Sequence, residues 1–216
     1  MGAQGSGKGT QAALLGPKYG LVRLATGDMF RAAIASRSEL GLELEGILAR
    51  GDLVPDDLTN NLVRERLAEI AAAGEAKGVL FDGFPRTAEQ ALALDAILAE
   101  SGQSLSAVIE IDVPRPVLID RMAGRRVCVT CGHVYQLETN PPKVAGICDV
   151  DGGELVQRDD DKPEAIARRL ALYDELTAPL ANYYREQGLL RQVNGDQAVE
   201  AVAAEIDAVL SSKDAG

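Results

Sequence analysis

Tryptophan is absent from this 216-residue chain and aromatic residues make up 4% of it, so platforms for stacking nucleic-acid bases are lacking and the core must be built from Leu, Ile, Val and Ala. Positive charge is also scarce. The 22 Lys and Arg face 33 Asp and Glu, a formal net charge of −11 that argues against non-specific binding to nucleic-acid backbone or an anionic membrane. No apolar run approaches the ~20 residues that span a bilayer, and the N-terminus lacks the pattern of a signal peptide. The three cysteines are an odd number in a chain without a leader, which points to reduced thiols or bound metal, and to the cytoplasm. The single histidine, His133, reads as a surface or hairpin residue, and no nucleophile stands beside a candidate base. Hydrophobic residues at 46% suffice for an ordinary core, which at this length means one core with small insertions or at most two domains.

Against that background the first residues stand out. Gly2-Ala3-Gln4-Gly5-Ser6-Gly7-Lys8-Gly9-Thr10 completes the pattern Gly-x-x-x-x-Gly-Lys, with Gly9 where Ser or Thr is usual and Thr10 one step later. Glycines at this spacing let backbone N–H groups wrap a polyphosphate, the following helix adds its positive end, and the lysine adds a mobile charge. Phosphate binding outweighs a chance glycine-rich turn. Such a loop follows a buried strand, yet only Met1 precedes Gly2, so the first core strand is missing from the chain as written. The expectation is a native start a few codons upstream or a clipped sequence, with reduced stability and weak activity for a chain that begins at Met1.

Along the chain, apolar periodicity predicts a helix from Lys8 to about Tyr19, a strand at 21–24, a turn and cap at Thr26-Gly27-Asp28, and helices over about 29–36, 39–50 and 58–73. Gly78-Val79-Leu80-Phe81-Asp82 looks like a parallel strand buried on both faces, broken by Gly83-Phe84-Pro85-Arg86 and followed by helix to about Glu100. A strand at 107–112, a short helix at 114–123, a long helix from Pro163 to about Glu186, a strand at 189–193, a helix over about 198–210 and a short polar tail complete the reading. Strands alternating with helices imply one parallel sheet covered on both faces. There is no internal repeat.

Between Arg125 and Arg158 the periodicity vanishes, and Cys128-x2-Cys131 is followed after sixteen residues by Cys148-x2-Asp151. Two short-spaced pairs of ligand types close a tetrahedral zinc site, and a segment this poor in apolar residues needs a staple. Asp151 is the expected fourth ligand, with His133 or Asp149 as substitutes, and four protein ligands leave no open catalytic position. Asp82, at the C-terminal end of a predicted strand, is placed to hold Mg2+ through water, as against a simple turn aspartate. Arg31, Arg86, Arg121, Arg125, Arg126, Arg158, Arg168 and Arg169 sit at element ends. Singly each suits a solvated face; as a set in an acidic chain they suit a distributed phosphate clamp.

With the loop, Thr26-Gly27-Asp28-Met29-Phe30-Arg31, Phe81-Asp82-Gly83-Phe84-Pro85-Arg86 and the cysteine pattern in family order from Gly2 onward, the chain resembles the adenylate kinases, more narrowly their bacterial long-lid, zinc-containing form. The resemblance implies the α/β P-loop nucleoside monophosphate kinase fold: a core of residues 1–24, 55–123 and 162–216, a helical NMP-binding insert at 25–54 and a zinc-ribbon-like lid at 124–161. It implies reversible Mg2+-dependent transfer of the ATP γ-phosphate to AMP, giving two ADP, by a monomer with structural Zn2+ in the lid. Gly5, Ser6, Gly7, Lys8, Gly9 and Thr10 would hold the ATP phosphates, with Lys8 spanning β and γ, and Val134, Tyr135 and Gln197 would lie along its adenosine. Thr26, Arg31, the backbone of Asp52-Leu53-Val54, the turn Gly83-Phe84-Pro85-Arg86 and Gln90 would form the AMP site. Arg31 and Arg86 would grip its phosphate, and Gln90 would read its adenine edge. Arg121, Arg125, Arg158 and Arg169 would close on the phosphates, the last two also facing AMP, with Asp160 and Asp161 tying lid to core. Gln4 stands where the family usually has proline, which loosens the loop slightly. Two alternatives carry less weight. Thr26, Gln90 and the zinc-type lid favour AMP over UMP or CMP as acceptor, and the charge of −11 counts against a non-catalytic zinc-ribbon module binding RNA.

Overall fold

The computed structural model describes residues 1–74 and 76–211; most of the polar tail predicted beyond Leu210 lies outside them. Helix α1 (Lys8–Tyr19) ends at Gly20, whose left-handed conformation turns the chain into β1 (Leu21–Ala25). Strand β1 pairs in parallel with β2 (Gly78–Asp82), Leu21 opposite Gly78 and Ala25 opposite Asp82. The pair β3 (Val108–Asp112) and β7 (Leu190–Asn194) is also parallel, Val108 opposite Leu190. The single sheet expected from the sequence is therefore, among the described residues, two two-stranded parallel sheets with no ladder between them, and β2 is only half-buried along its length. Among the described residues no strand precedes the glycine-rich loop. Met1 alone runs beside β3: its carbonyl accepts from the Ile111 N–H at 3.1 Å, and its amino group donates to the Ile109 carbonyl.

Helices α4 (Asp56–Ala73) and α5 (Ala88–Glu100) cover the first sheet with a cluster of Leu24, Val63, Ile70, Phe84, Leu94 and Leu98. The second sheet is packed with α1, α6 (Arg115–Ala123), α7 (Pro163–Leu172) and α9 (Val199–Ser211), whose cluster includes Leu15, Ile111, Met122, Leu170, Val193 and Ile206. Two smaller cores stand apart. Helices α2 (Thr26–Ala35) and α3 (Glu39–Ala49) enclose Phe30, Leu44 and Val54, and the three-stranded antiparallel sheet β5-β4-β6 encloses Cys128, Tyr135, Cys148 and Leu155. In that sheet β4 (Arg125–Cys128) lies between β5 (Val134–Gln136) and β6 (Leu155–Val156).

Two helical predictions are corrected. Thr26-Gly27-Asp28, read as a turn and cap, is the first turn of α2, with Asp28 favourably placed at its positive end. The long helix predicted over 163–186 is divided: α7 ends at Leu172, Tyr173–Thr177 form a π-helical turn in which the Ala178 N–H bonds the Tyr173 carbonyl at 2.8 Å, and α8 spans Leu180–Glu186. Pro179 explains the break, because it has no N–H and its ring crowds the preceding turn. The widened turn lets the Thr177 hydroxyl donate to the Arg86 carbonyl at 2.8 Å, fastening the turn after β2.

Candidate functional site

The glycine-rich loop delivers an open helix end. Gly7 caps α1 from a left-handed conformation (φ 96°) with no side-chain cap bond, so the first-turn N–H groups remain available to an anion. Lys8 folds back over the loop, its Nζ donating to the carbonyls of Gly2 and Ala3 at 2.7 Å each. Burial, opposed by Asp82 but reinforced by Arg86, Arg169 and Arg125, pulls its pKa down to about 7. Gly9, irregular for the motif, lies close under the Arg23–Asp82 pair: a Cβ there would sit 3.3 Å from Arg23 Nη2 and 3.5 Å from Asp82 Oδ2. Arg23, which sequence reading took only as a strand residue, donates to Asp82 Oδ2 through Nε (3.1 Å) and Nη2 (2.5 Å), and to Asp28 Oδ2 through Nη1 (2.8 Å). No signal in the sequence marked it, because the partnership with Asp82 exists only across the β1–β2 ladder.

The predicted acceptor residues converge. Thr26, Arg31, Asp52, Leu53, Val54, Gly83, Arg86, Gln90 and Arg169 line one cavity with about 530 Å³ of atom-free space, part of it open to solvent. Phe30, Leu48 and Thr59, which the sequence did not mark as site residues, line it as well. Phe84 and Pro85 do not line it; Phe84 is buried in the cluster behind β1 and β2. Gly51 (φ 77°) seats the end of the α2–α3 unit against α7, where a Cβ would lie 2.6 Å from the Ala165 carbonyl oxygen. Next to it the Asp52 carboxylate accepts from Arg168 Nε at 2.9 Å and Arg50 Nε at 3.1 Å, a second tie between that unit and α7.

The arginines divide into tethered and free. Arg125 grips the fully buried Asp161 in bidentate fashion, Nε lying 2.7 Å from Oδ2 and Nη2 donating to Oδ1. Arg169 Nη1 reaches Asp161 Oδ1 at 3.3 Å, Asp160 Oδ2 at 3.1 Å and the Asp160 carbonyl at 2.9 Å. This network joins β4 to α7 as Asp160 and Asp161 were expected to do. Arg121 donates to the Gly195 carbonyl at 3.0 Å. Among the described residues no ion pair engages Arg86 or Arg158, and both are pulled down to about 10, first by burial and then by Arg169 and Arg31 respectively. Arg31 is paired with Asp28, its Nη2 lying 2.5 Å from Oδ1, and Asp52 and Asp160 also line the cavity, so of its three arginines Arg86 alone lacks an ion pair among the described residues; Arg158, expected at the AMP site, does not line it. Gln197 Nε2 donates to the Asn194 carbonyl (2.9 Å) and Glu205 Oε1 (2.7 Å), while Val134 is exposed on β5.

The cysteine cluster is assembled. One ligand atom each from Cys128, Cys131, Cys148 and Asp151 lies within 4.8 Å of the others, with Cys131 and Cys148 sulfurs 3.7 Å apart and Cys128 Sγ 3.3 Å from Asp151 Oδ1. Metal–sulfur bonds of about 2.3 Å in a tetrahedron set sulfurs about 3.8 Å apart, so the donor set suits zinc. The Gly153 N–H, 2.9 Å from Asp151 Oδ1, keeps that carboxyl ionised with a pKa of about 2. The substitutes considered for Asp151 are committed elsewhere: Asp149 accepts from the Lys143 N–H at 3.0 Å, and His133 packs edge-on against Tyr135. Tyr135 is itself buried, its hydroxyl accepting from the Asp149 N–H at 2.7 Å and lying 3.6 Å from Cys148 Sγ. Its side chain therefore supports the cluster, and only its main chain is left for the role along ATP implied by the resemblance.

The model of the family described as "Adenylate kinase" matches residues 1–189. The chain is 50% identical over 212 residues to the adenylate kinase of Listeria monocytogenes serotype 4a (strain HCC23), covering 98% of this chain and 97% of the relative. It is also 50% identical over 206 residues to that of Carboxydothermus hydrogenoformans, covering 95% of each, and 50% identical over 214 residues to that of Symbiobacterium thermophilum, covering 99% of this chain and 98% of the relative.

Proposed function

The chain belongs to the adenylate kinase family, and from that premise we propose how its own residues share the work of moving the ATP γ-phosphoryl group to AMP. The protein is a phosphotransferase whose partners are ATP, AMP and ADP, with Mg2+ accompanying ATP. One observation carries the assignment of residues: side chains and backbone from four separate stretches, around 26–31, 51–54, 83–90 and 169, line a single cavity containing three arginines.

In this reading Lys8 exchanges the carbonyls of Gly2 and Ala3 for the β- and γ-phosphates, while the N–H groups of Gly5 to Thr10 cradle them. Arg31 and Arg86 hold the AMP phosphate. Arg121, Arg125, Arg158 and Arg169 spread positive charge over the oxygens that gain negative charge in transfer, which is the main catalytic task in phosphoryl transfer. Asp82, held in place by Arg23, would help hold the Mg2+ that accompanies ATP, through water, and the ion would supply further neutralisation of the phosphates. The units 25–54 and 124–161, each with its own small core, move as bodies over residues 1–24, 55–123 and 162–216, expelling water that would otherwise accept the phosphoryl group. Zn2+ held by Cys128, Cys131, Cys148 and Asp151 gives the second unit its rigidity. Gln197 and Val134 face the adenosine of ATP. In this reading the protein works as a cytoplasmic monomer. Among the described residues no helix is long and apolar enough to cross a membrane.

Coupled ADP formation with Mg2+, ATP and AMP, CMP, UMP or GMP as acceptor tests the assignment. AMP is expected to exceed the others in kcat/KM by at least about 100-fold, well within the about 10⁴–10⁵ that a site hydrogen-bonding its substrate's distinguishing groups can reach. Equal or better turnover with UMP or CMP would overturn the assignment of Thr26 and Gln90.

A further inference from the structure

We propose that Asp56 is a specificity-determining positioning residue: its carboxylate locks the Gln90 side-chain amide in the one orientation that reads adenine. The proposal rests on the reading above in which Gln90 faces the base of AMP.

Gln90 is 3% exposed at the start of α5. Its Oε1 accepts from the Arg86 N–H at 2.8 Å, and its Nε2 donates to Asp56 Oδ1 at 2.7 Å. The other Asp56 oxygen accepts from the Thr87 hydroxyl at 2.8 Å, and that hydroxyl oxygen accepts from the Gln90 N–H at 3.2 Å, closing a ring between the starts of α4 and α5. An ionised carboxylate only accepts and a backbone N–H only donates. A flipped amide would set Oε1 against Asp56 and Nε2 against the Arg86 N–H, exchanging two hydrogen bonds for two repulsive contacts. One orientation survives.

With each end of the amide anchored, Oε1 keeps one lone pair and Nε2 keeps one hydrogen. Together they present an acceptor beside a donor. Adenine offers the complement, the N6 amino donor beside the N1 acceptor. Hypoxanthine, the base of IMP, has nearly the same shape but offers O6 as acceptor and N1–H as donor, the reverse pattern. Asp56 does not line the cavity; it acts through Gln90. The Arg86 N–H that completes the lock belongs to the turn proposed to grip the AMP phosphate, so base reading and phosphate holding share one network.

Calorimetric binding of AMP and of IMP, with acceptor kinetics for both, tests this on the full chain and on Asp56→Ala, Asp56→Ser, Asp56→Asn and Gln90→Ala. Asp56→Ala should weaken AMP about tenfold, the scale of one lost charge-assisted hydrogen bond, and weaken IMP little or not at all. The AMP:IMP preference then falls by about the same factor, with kcat at saturating AMP and the KM for ATP nearly unchanged. Asp56→Asn retains an acceptor oxygen for Nε2 and should recover most of the preference. Asp56→Ser suits a helix start but is too short to reach Nε2, and it replaces Asp56→Ala if the latter does not fold. Equal weakening of AMP and IMP by Asp56→Ala would indicate a merely structural role and overturn the proposal. If Gln90→Ala abolishes the preference while the Asp56 variants keep it, the Asp56 proposal alone fails. If Gln90→Ala also keeps it, the reading of Gln90 as the base reader fails.

Discussion

Replacing Asp161 with alanine should cost this protein more than removing any exposed carboxylate. The Asp161 side chain is 0% exposed and is shared by Arg125, 18% exposed, and Arg169, 12% exposed. Breaking a buried pair by deleting one partner costs about 3–5 kcal/mol, because the surviving charge stays desolvated. Asp160, which also pairs with Arg169, softens the loss to about 3 kcal/mol. For a chain of this length each kcal/mol moves Tm by about 2–4 °C, so Asp161→Ala should lower Tm by about 6–12 °C. Asp161→Asn, which keeps the shape and one acceptor oxygen, should lose about half as much. The Arg64–Glu100 pair is the internal control: its side chains are 50% and 60% exposed, and Arg64→Ala should cost less than about 1 kcal/mol. Thermal unfolding by circular dichroism, repeated at about 0.5 M salt, separates the two, since screening should erase the Arg64 effect and spare the Asp161 effect. A loss of about 2 °C or less for Asp161→Ala, or equality with Arg64→Ala, would refute the argument that this network carries a buried charge.

Lys8 carries a pH signature. Its folded pKa of about 7 lies below the 10.5 of an ordinary lysine, so the unfolded chain holds a proton that the folded one lacks between those values. Stability should therefore rise with pH across that window, and Lys8→Met should remove this contribution. With its pKa pulled down to about 7, Lys8 is mainly neutral at pH 8 before phosphate arrives; calorimetry of ATP binding in buffers of different ionisation enthalpy should detect proton uptake that is absent in Lys8→Met. No difference between the two proteins would refute the pKa assignment. For the cysteine cluster, thiol modification should release about one equivalent of zinc per chain, leaving far-UV dichroism largely intact while turnover is lost. Protein purified without chelator that holds less than about half an equivalent would count against the site.

The glycine-rich loop, the two cysteine pairs and the Thr26–Arg31 and Phe81–Arg86 stretches were legible because each packs its chemistry into a few consecutive residues. Local patterns of that kind need no fold to be read, and they marked the glycine-rich loop, the four residues of the Cys/Asp cluster and most of the residues that line the acceptor cavity, though not Phe30, Leu48 or Thr59. Helix and strand positions followed from apolar periodicity for the same reason, except at Thr26-Gly27-Asp28, which opens α2, and where Pro179 imposed a wider turn that periodicity does not register. What the chain alone left open are relations between residues far apart in it. Arg23 takes one oxygen of Asp82, 59 residues on; Asp161 gathers two arginines; Asp56 holds Gln90 across two helix starts; Tyr135 turns inward to the cysteines. The division of the parallel strands into two sheets belongs with them, since strand pairing depends on which edges meet. Composition and short motifs determined which chemical groups are present. Packing decided which of those groups are desolvated, which are paired and which are left facing the cavity, because burial and hydrogen bonding are properties of neighbours that only the folded chain supplies.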